Sequence, residues 1–206
     1  MKLRDYYYDV VGINERGGGW ARTYYGIFSS IIQENNFTRT AEIGAGYGTH
    51  SKSVLDTCPS ITHHTIIDPM KYYPNDGFAT DIMNQEPEVP GENFNELYTH
   101  VNEYLSPHKD RYNWLRKNSQ DVTEADIPNQ ELDCIFVDGD HSFEAVLADL
   151  KLFWNKVRVG GQLLGDDYWM DDVRRAVDEF SQQIQIPYDL LEKSGTDYKI
   201  YRFKKQ

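Results

Sequence analysis

Two short acidic stretches carry the residue types best suited to chemistry: Asp138-Gly139-Asp140-His141 and Gly165-Asp166-Asp167-Tyr168. Each follows a largely apolar run, Leu132–Val137 before the first and Gln162–Leu164 before the second. Asp138, Asp166 and Asp167 therefore stand at the ends of two expected strands that should be neighbours in a layered α/β fold. Carboxylates brought together repel one another unless a cation neutralises them. Hard oxygen ligands of this kind suit Mg²⁺, Mn²⁺ or Ca²⁺. His141, three residues after Asp138, adds an imidazole whose ordinary pKa of about 6.5 suits proton transfer near neutral pH. Its alternative role is that of a helix N-terminal residue bonding backbone. Asp140 is a cap, an outer-sphere group or an ion-pair partner.

A second concentration of chemistry lies upstream, in Thr40–Thr49, TAEIGAGYGT. A short apolar strand (Ala41–Ile43) runs into a turn in which Gly44, Gly46 and Gly48 permit a sharp bend and the close approach of a ligand. Glu42, near the strand's end, is placed to meet a cationic or hydroxyl-bearing ligand. A dinucleotide fingerprint would need a third glycine where Thr49 stands, which opposes a nicotinamide dehydrogenase. Ile61–Asp68 reads as the next strand. An acid at its end is placed to accept both hydroxyls of a ribose; the alternative is a turn acid before Pro69.

The elements that must position these residues alternate between strand and helix. Residues 21–35 form a helix with Tyr24, Ile27, Phe28, Ile31 and Ile32 on one face. A second helix follows the glycine turn to about Asp56. Residues 93–106 read as a helix, Tyr112–Arg116 as a third strand ending in the polar tip Asn118-Ser119-Gln120-Asp121, and residues 142–157 as a strong helix capped by Ser142 or Asp140. The fifth strand, Gln162–Leu164, begins after Gly160-Gly161. A helix marked by Val173, Ala176, Val177 and Phe180 precedes a closing pair, Tyr188–Leu191 and Tyr198–Phe203, around Ser194-Gly195. This order implies an α/β fold: a Rossmann-like, doubly wound, mostly parallel sheet of seven strands with helices on both faces and an antiparallel strand near the C-terminus. Ligands of such sheets bind at the carboxyl ends of the strands. Two stretches stand apart. Residues 1–20 end in Gly17-Gly18-Gly19-Trp20, an arm that folds over a site or a plain terminus. Residues 69–92, with Pro74, Pro87, Pro90, Tyr72, Tyr73 and Phe78, suggest a functional loop. A single domain over 1–206 is expected, with 1–37 as arm and helix, 38–206 as core and 69–110 as an insertion.

Composition narrows the partners. The net charge of -12 argues against nucleic acid or an anionic membrane surface. A hydrophobic fraction of 39% is enough for a packed core. Cys58 and Cys134 lie in apolar surroundings and read as buried free thiols, as in a reducing, cytoplasmic setting. No signal peptide or membrane-spanning run is read. His50, His63, His64, His100 and His108 read as surface or packing residues.

The spacing E-x-G-x-G-x-G, with Glu42, Gly44, Gly46 and Gly48, resembles motif I of the class I S-adenosylmethionine-dependent methyltransferases. Asp138 with Asp166-Asp167 resembles the ligand set of the cation-dependent, catechol O-methyltransferase type. In that family an Asp after strand four is joined by an Asp-Asn pair after strand five at a similar separation, and a lysine stands where this chain has His141. Asp167 replaces the Asn and adds negative charge. The segment from Val137 to Tyr168 is also similar to bacterial and viral methyltransferases that include enzymes acting on sugar hydroxyls. The resemblance covers roughly residues 38–180. It implies S-adenosyl-L-methionine bound by Glu42, Gly44, Gly46, Gly48, Thr49, Asp68, Ser119, Gln120, Asp138 and His141, the Ser119-Gln120 tip meeting adenine. It further implies a divalent cation, Mg²⁺ or Mn²⁺, on Asp138, Asp166 and Asp167, with His141 and Asp138 catalytic. The reaction implied is methyl transfer to a hydroxyl of a small molecule or glycan. A catechol, phenol, sugar or natural-product scaffold all fit, with a slight preference for a sugar because the surround is rich in acid and tyrosine. Tyr168 and Trp169 form an aromatic wall for the acceptor or pack into the core; the same alternatives hold for Trp20 and Tyr72.

Overall fold

The computed structural model describes residues 25–71, 92–192 and 199–206. The arm of residues 1–20, the first turn of the predicted helix at 21–24, the 72–91 part of the loop and the turn at Ser194-Gly195 lie outside the described residues. In chain order the elements are α1 (Tyr25–Asn35), β1 (Arg39–Ile43), α2 (Thr49–Thr57), β2 (His63–Ile67), α3 (Glu92–Leu105), β3 (Tyr112–Leu115), β4 (Leu132–Val137), α4 (Phe143–Lys156), β5 (Val157–Gly165), α5 (Asp171–Ile184), β6 (Asp189–Glu192) and β7 (Lys199–Lys204). Single 3-10 turns follow α3 at Ser106–His108 and β3 at Ser119–Asp121.

The seven strands form one sheet in the order β3-β2-β1-β4-β5-β7-β6. β1 to β5 pair in parallel, and β7 runs antiparallel to both β5 and β6. The fold is thus the expected Rossmann-like architecture. Its order reverses between β1 and β4, which opens a crevice at their carboxyl ends. Alternation of side chains across β1 and β4 builds two cores. Phe136 and Cys134 join α1, α2 and α3 on one face, through Phe28, Ile32, Val54, Leu97 and Val101. Ile43, Ile135 and Val137 join α4 and α5 on the other, through Leu150, Phe153, Val177 and Phe180. β4 is buried at all six positions, as a central parallel strand covered on both faces must be.

Two strands are longer than periodicity predicts. β1 starts at Arg39, because the Asp133 carboxylate accepts the amides of Thr38 and Arg39 at 2.7 and 2.9 Å. β5 starts at Val157 and runs through the glycine pair that was expected to precede it. Gly160 takes φ 81, and between Leu132 and Cys134 the register jumps from Val157 to Gln162. The glycines therefore bend the strand without ending it.

Candidate active site

The tips of β1, β2, β4 and β5 are pinned by the ladder itself. One residue past its strand, each donates its amide to the last carbonyl of a neighbour: Gly44 to Ile67, Asp68 to Leu115, Asp138 to Ile43 and Asp166 to Val137, at 2.9 to 3.2 Å. Residues that follow the strands in sequence are thereby brought to one edge of the sheet. Gly44 has φ 84, and a Cβ there would strike the backbone carbonyl of Asp138. The glycine turn and the first acidic tip consequently touch through backbone, and only glycine fits between them.

Asp138, His141 and Asp167 converge. One ligand atom from each lies within 4.8 Å of the other two. His141 Nε2 is 2.9 Å from Asp167 Oδ2 and 3.6 Å from Asp138 Oδ1. Yet this buried nitrogen makes no aligned hydrogen bond: the three groups are close as charges. Burial works against the imidazolium, but the close Asp138 and Asp167 carboxylates override it and push His141 up to about 10. Asp167 is held down; burial raises it, and His141 outweighs that. Asp167 also takes φ 54, left-handed backbone that non-glycine residues enter rarely and often at functional sites.

Asp166 does not join the three converging groups. It is buried, and its Oδ1 accepts the Asp167 amide at 2.6 Å. Burial first, then the charges of Asp138 and Asp167, push it well above the carboxylate range. Asp140 Oδ1 accepts the Ser142 amide at 2.8 Å, which turns the chain into α4, while Ser142 makes no side-chain cap bond. His141 thus stands as a cluster member, not as a backbone-bonding helix residue.

Of the remaining predicted residues, Asp68 sits under the glycine turn. Its Oδ2 accepts the amides of Ala45 at 2.8 Å and Gly46 at 3.3 Å, and its Oδ1 that of Met70 at 2.7 Å. Burial raises its pKa and these bonds temper the rise. Gly46 and Gly48 take φ 48 and 71, and Thr49 opens α2. Ser119 and Gln120 lie on the 3-10 turn after β3, where Gln120 is exposed and Ser119 bonds Asp149 of α4.

Glu42 points the other way. It is 1% exposed and faces the α1–α2 core, not the crevice. Its Oε1 meets His50 Nδ1 at 3.0 Å, and its Oε2 accepts the Ser51 hydroxyl. Ser51 Oγ lies 3.0 Å from His64 Nε2, and His64 Nδ1 lies 2.8 Å from Thr40 Oγ1. These contacts form one consistent chain if His64 carries its proton on Nε2. Burial would raise Glu42, but the charge and hydrogen bond of His50, then those of His64, hold it at about 2. Strand alternation was the available signal, since Thr40, Glu42 and their neighbour His64 share a face with Phe136. Asp149 was also missed. It is buried in α4, and burial with the charge of Asp140 raises it to about 6 against the bond from Ser119.

Residues 41–168 match the family described as "Methyltransferase domain". The chain belongs to that family. It is an S-adenosylmethionine-dependent methyltransferase of class I. Solved structures share its fold at low identity. A candidate caffeoyl-CoA O-methyltransferase from Staphylococcus aureus superposes with a TM-score of 0.62 at 13% identity, over 87% of this chain and 82% of that one. The methyltransferase PaMTH1 of Podospora anserina, solved with S-adenosylhomocysteine, gives 0.61 at 14% identity over 99% and 87%. Spermidine synthase from Thermotoga maritima gives 0.56 at 14% over 89% and 60%, so the fold by itself does not fix the group transferred. An uncharacterised protein of Acanthamoeba polyphaga mimivirus is 36% identical over 63 residues, 29% of this chain and 28% of that relative's length. Among the described residues of this methyltransferase, no helix is long and apolar enough to cross a membrane.

Proposed function

We propose that this methyltransferase transfers the methyl group to oxygen, with a divalent cation held by Asp138, His141 and Asp167, on a small hydroxylated acceptor such as a sugar. The observation that carries this reading is the convergence of those three groups beside the glycine turn, with a buried His141 Nε2 that no aligned hydrogen bond occupies. The donor set fits a cation, since two carboxylates supply charge and an unaligned nitrogen supplies a lone pair once its proton leaves. Mixed oxygen and imidazole donors favour Mn²⁺ over Mg²⁺. A cation bound there would lower the pKa of an acceptor hydroxyl and fix its approach. S-adenosylmethionine supplies an electrophilic methyl on a sulfonium.

The chain's own residues do the positioning. Gly44, packed on the Asp138 carbonyl, holds the cofactor turn against the acceptor side of the crevice. Asp68 holds the amides of Ala45 and Gly46, which fixes the turn where a ribose would lie. Orienting both reactants is worth about 7–11 kcal/mol of barrier in well-aligned cases. In the absence of a cation, Asp138 and Asp167 keep a proton on His141 at neutral pH, so the imidazole is not a ready base as it stands. This weighs against the metal-free reading in which His141 acts alone. The decisive assay is methyl transfer to a panel of phenols, catechols and glycosides with Mn²⁺, Mg²⁺ or EDTA. Activity that needs the cation supports the reading, and full activity in EDTA removes the cation from it.

A further inference from the structure

We infer that Trp169 is the stacking platform of the acceptor site and selects acceptors built on a ring that bears the reacting hydroxyl; the inference rests on the O-methyltransferase reading above. Among the described residues three large hydrophobics are exposed, Val159, Leu190 and Trp169. Val159 lies near the start of β5 and Leu190 on the outermost strand, β6. Trp169 alone of the three lies at the carboxyl edge, four residues past the end of β5, and it is 70% exposed. Its polar edge is nonetheless fixed: Nε1 donates to Asp167 Oδ1 at 2.7 Å. The same carboxylate meets His141 through its other oxygen at 2.9 Å. One side chain therefore joins the converging charged groups to the rim of an indole whose apolar surface is left in water.

The neighbouring aromatic shows the contrast. Tyr168 turns inward, its hydroxyl 2.7 Å from that of Tyr188 and its ring 5.8 Å from the Tyr188 ring, packed against the α4–α5 core. Of the two aromatics that the sequence offers as an acceptor wall, only Trp169 presents a free face. Leaving an indole in water forgoes the burial that makes tryptophan costly to expose. A ring lying on that face recovers it, next to the carboxylate that joins Asp138 and His141 in the charged cluster. The C–H face of a pyranose and the π face of a catechol share this chemistry, whereas an open-chain polyol lacks it.

The test uses the full chain loaded with S-adenosylhomocysteine and Mn²⁺. It is titrated with methyl β-D-glucopyranoside, 3,4-dihydroxybenzoate and, as an open-chain control, sorbitol, while tryptophan emission and heat are followed. Binding of either ring, a change in emission that vanishes in Trp169→Phe, and a roughly tenfold or larger loss of ring affinity in Trp169→Ala are expected. Trp169→Phe should restore most of that affinity, and S-adenosylhomocysteine binding should stay unchanged in both variants. The ring that binds identifies the acceptor class. Equal ring affinity in wild type and Trp169→Ala, sorbitol binding as well as the rings, or no ring binding to loaded protein would each overturn the platform. Failure of the parent reading shows elsewhere: methyl transfer found only on nitrogen or carbon removes the hydroxyl acceptor whatever the titration gives.

Discussion

Two carboxylate–histidine clusters sit at neighbouring strand ends, and the chain treats them in opposite ways. At β1, Glu42 lies in the core with His50 and His64, each nearly or wholly buried, and both carboxylate oxygens are met. At β4 and β5, Asp138, His141 and Asp167 are 21%, 38% and 20% exposed, and the imidazole nitrogen is held between two carboxylates as an ion pair without aligned hydrogen-bond geometry. A buried charge persists only when it is paired and bonded. Glu42 therefore ties the first turn of α2 to β1 and β2 and supports the glycine turn from behind. The second cluster is pinned by backbone and stays partly open to solvent, as suits a place where a ligand joins the charged groups. Residue types alone do not separate structure from chemistry here; burial and bond alignment do.

If that contrast is right, the two clusters respond to substitution in crossed fashion. Glu42→Ala strips His50 and Ser51 of the buried carboxylate that meets them and should cost about 1–3 kcal/mol in a urea denaturation. Asp138→Asn should leave the denaturation midpoint close to wild type while lowering methyl transfer by about 10²–10³-fold. A stable Glu42→Ala, or an Asp138→Asn protein that unfolds as readily as Glu42→Ala, breaks the comparison.

Acid sharpens the same contrast. The folded pKa of Glu42, about 2, lies below its ordinary value of 4.5. A carboxylate with a depressed folded pKa contributes stability that is fully present above the unfolded value and is lost as pH falls towards the folded one. The window is therefore about pH 4.5 down to 2, and the size is on the order of 3 kcal/mol. Glu42→Gln cannot lose this contribution. The stability gap between wild type and Glu42→Gln should accordingly narrow across that window; a gap independent of pH would mean that Glu42 is not charged in the core.

The sheet was legible because β4 is apolar at every position but Asp133 and the helices carry strong 3.6-residue stripes, signals that local sequence holds in full. Asp138 and Asp167 could be placed for the same reason, since topology alone brings strand tips to one edge. What local sequence does not hold is direction. Glu42 has the composition of a ligand-facing acid, but alternation along β1 turns it to the core, where His64 arrives from another strand. Asp166 and Asp167 are adjacent and chemically alike, and a left-handed φ at Asp167 decides which of them reaches His141. Trp169 and Tyr168 part by the same bend, one into water and one into the core.

His141→Ala gives the smallest predicted effect and bears on how the open cluster works. A positioned acid–base group is worth about 10²-fold or more, and a metal ligand's loss can cost as much, so the drop in activity does not by itself assign the role. The dependence on metal does. Removing a ligand weakens cation affinity, and raising Mn²⁺ should then recover much of the lost rate; removing a base leaves affinity intact, and added Mn²⁺ recovers nothing. The geometry favours the ligand outcome, because Nε2 lies 2.9 Å from Asp167 without the alignment of a hydrogen bond. Recovery with Mn²⁺ but not with Mg²⁺ would place the nitrogen among the donors, since Mg²⁺ gains little from imidazole. An unchanged rate in His141→Ala would take the histidine out of both roles and leave the carboxylates to act without it.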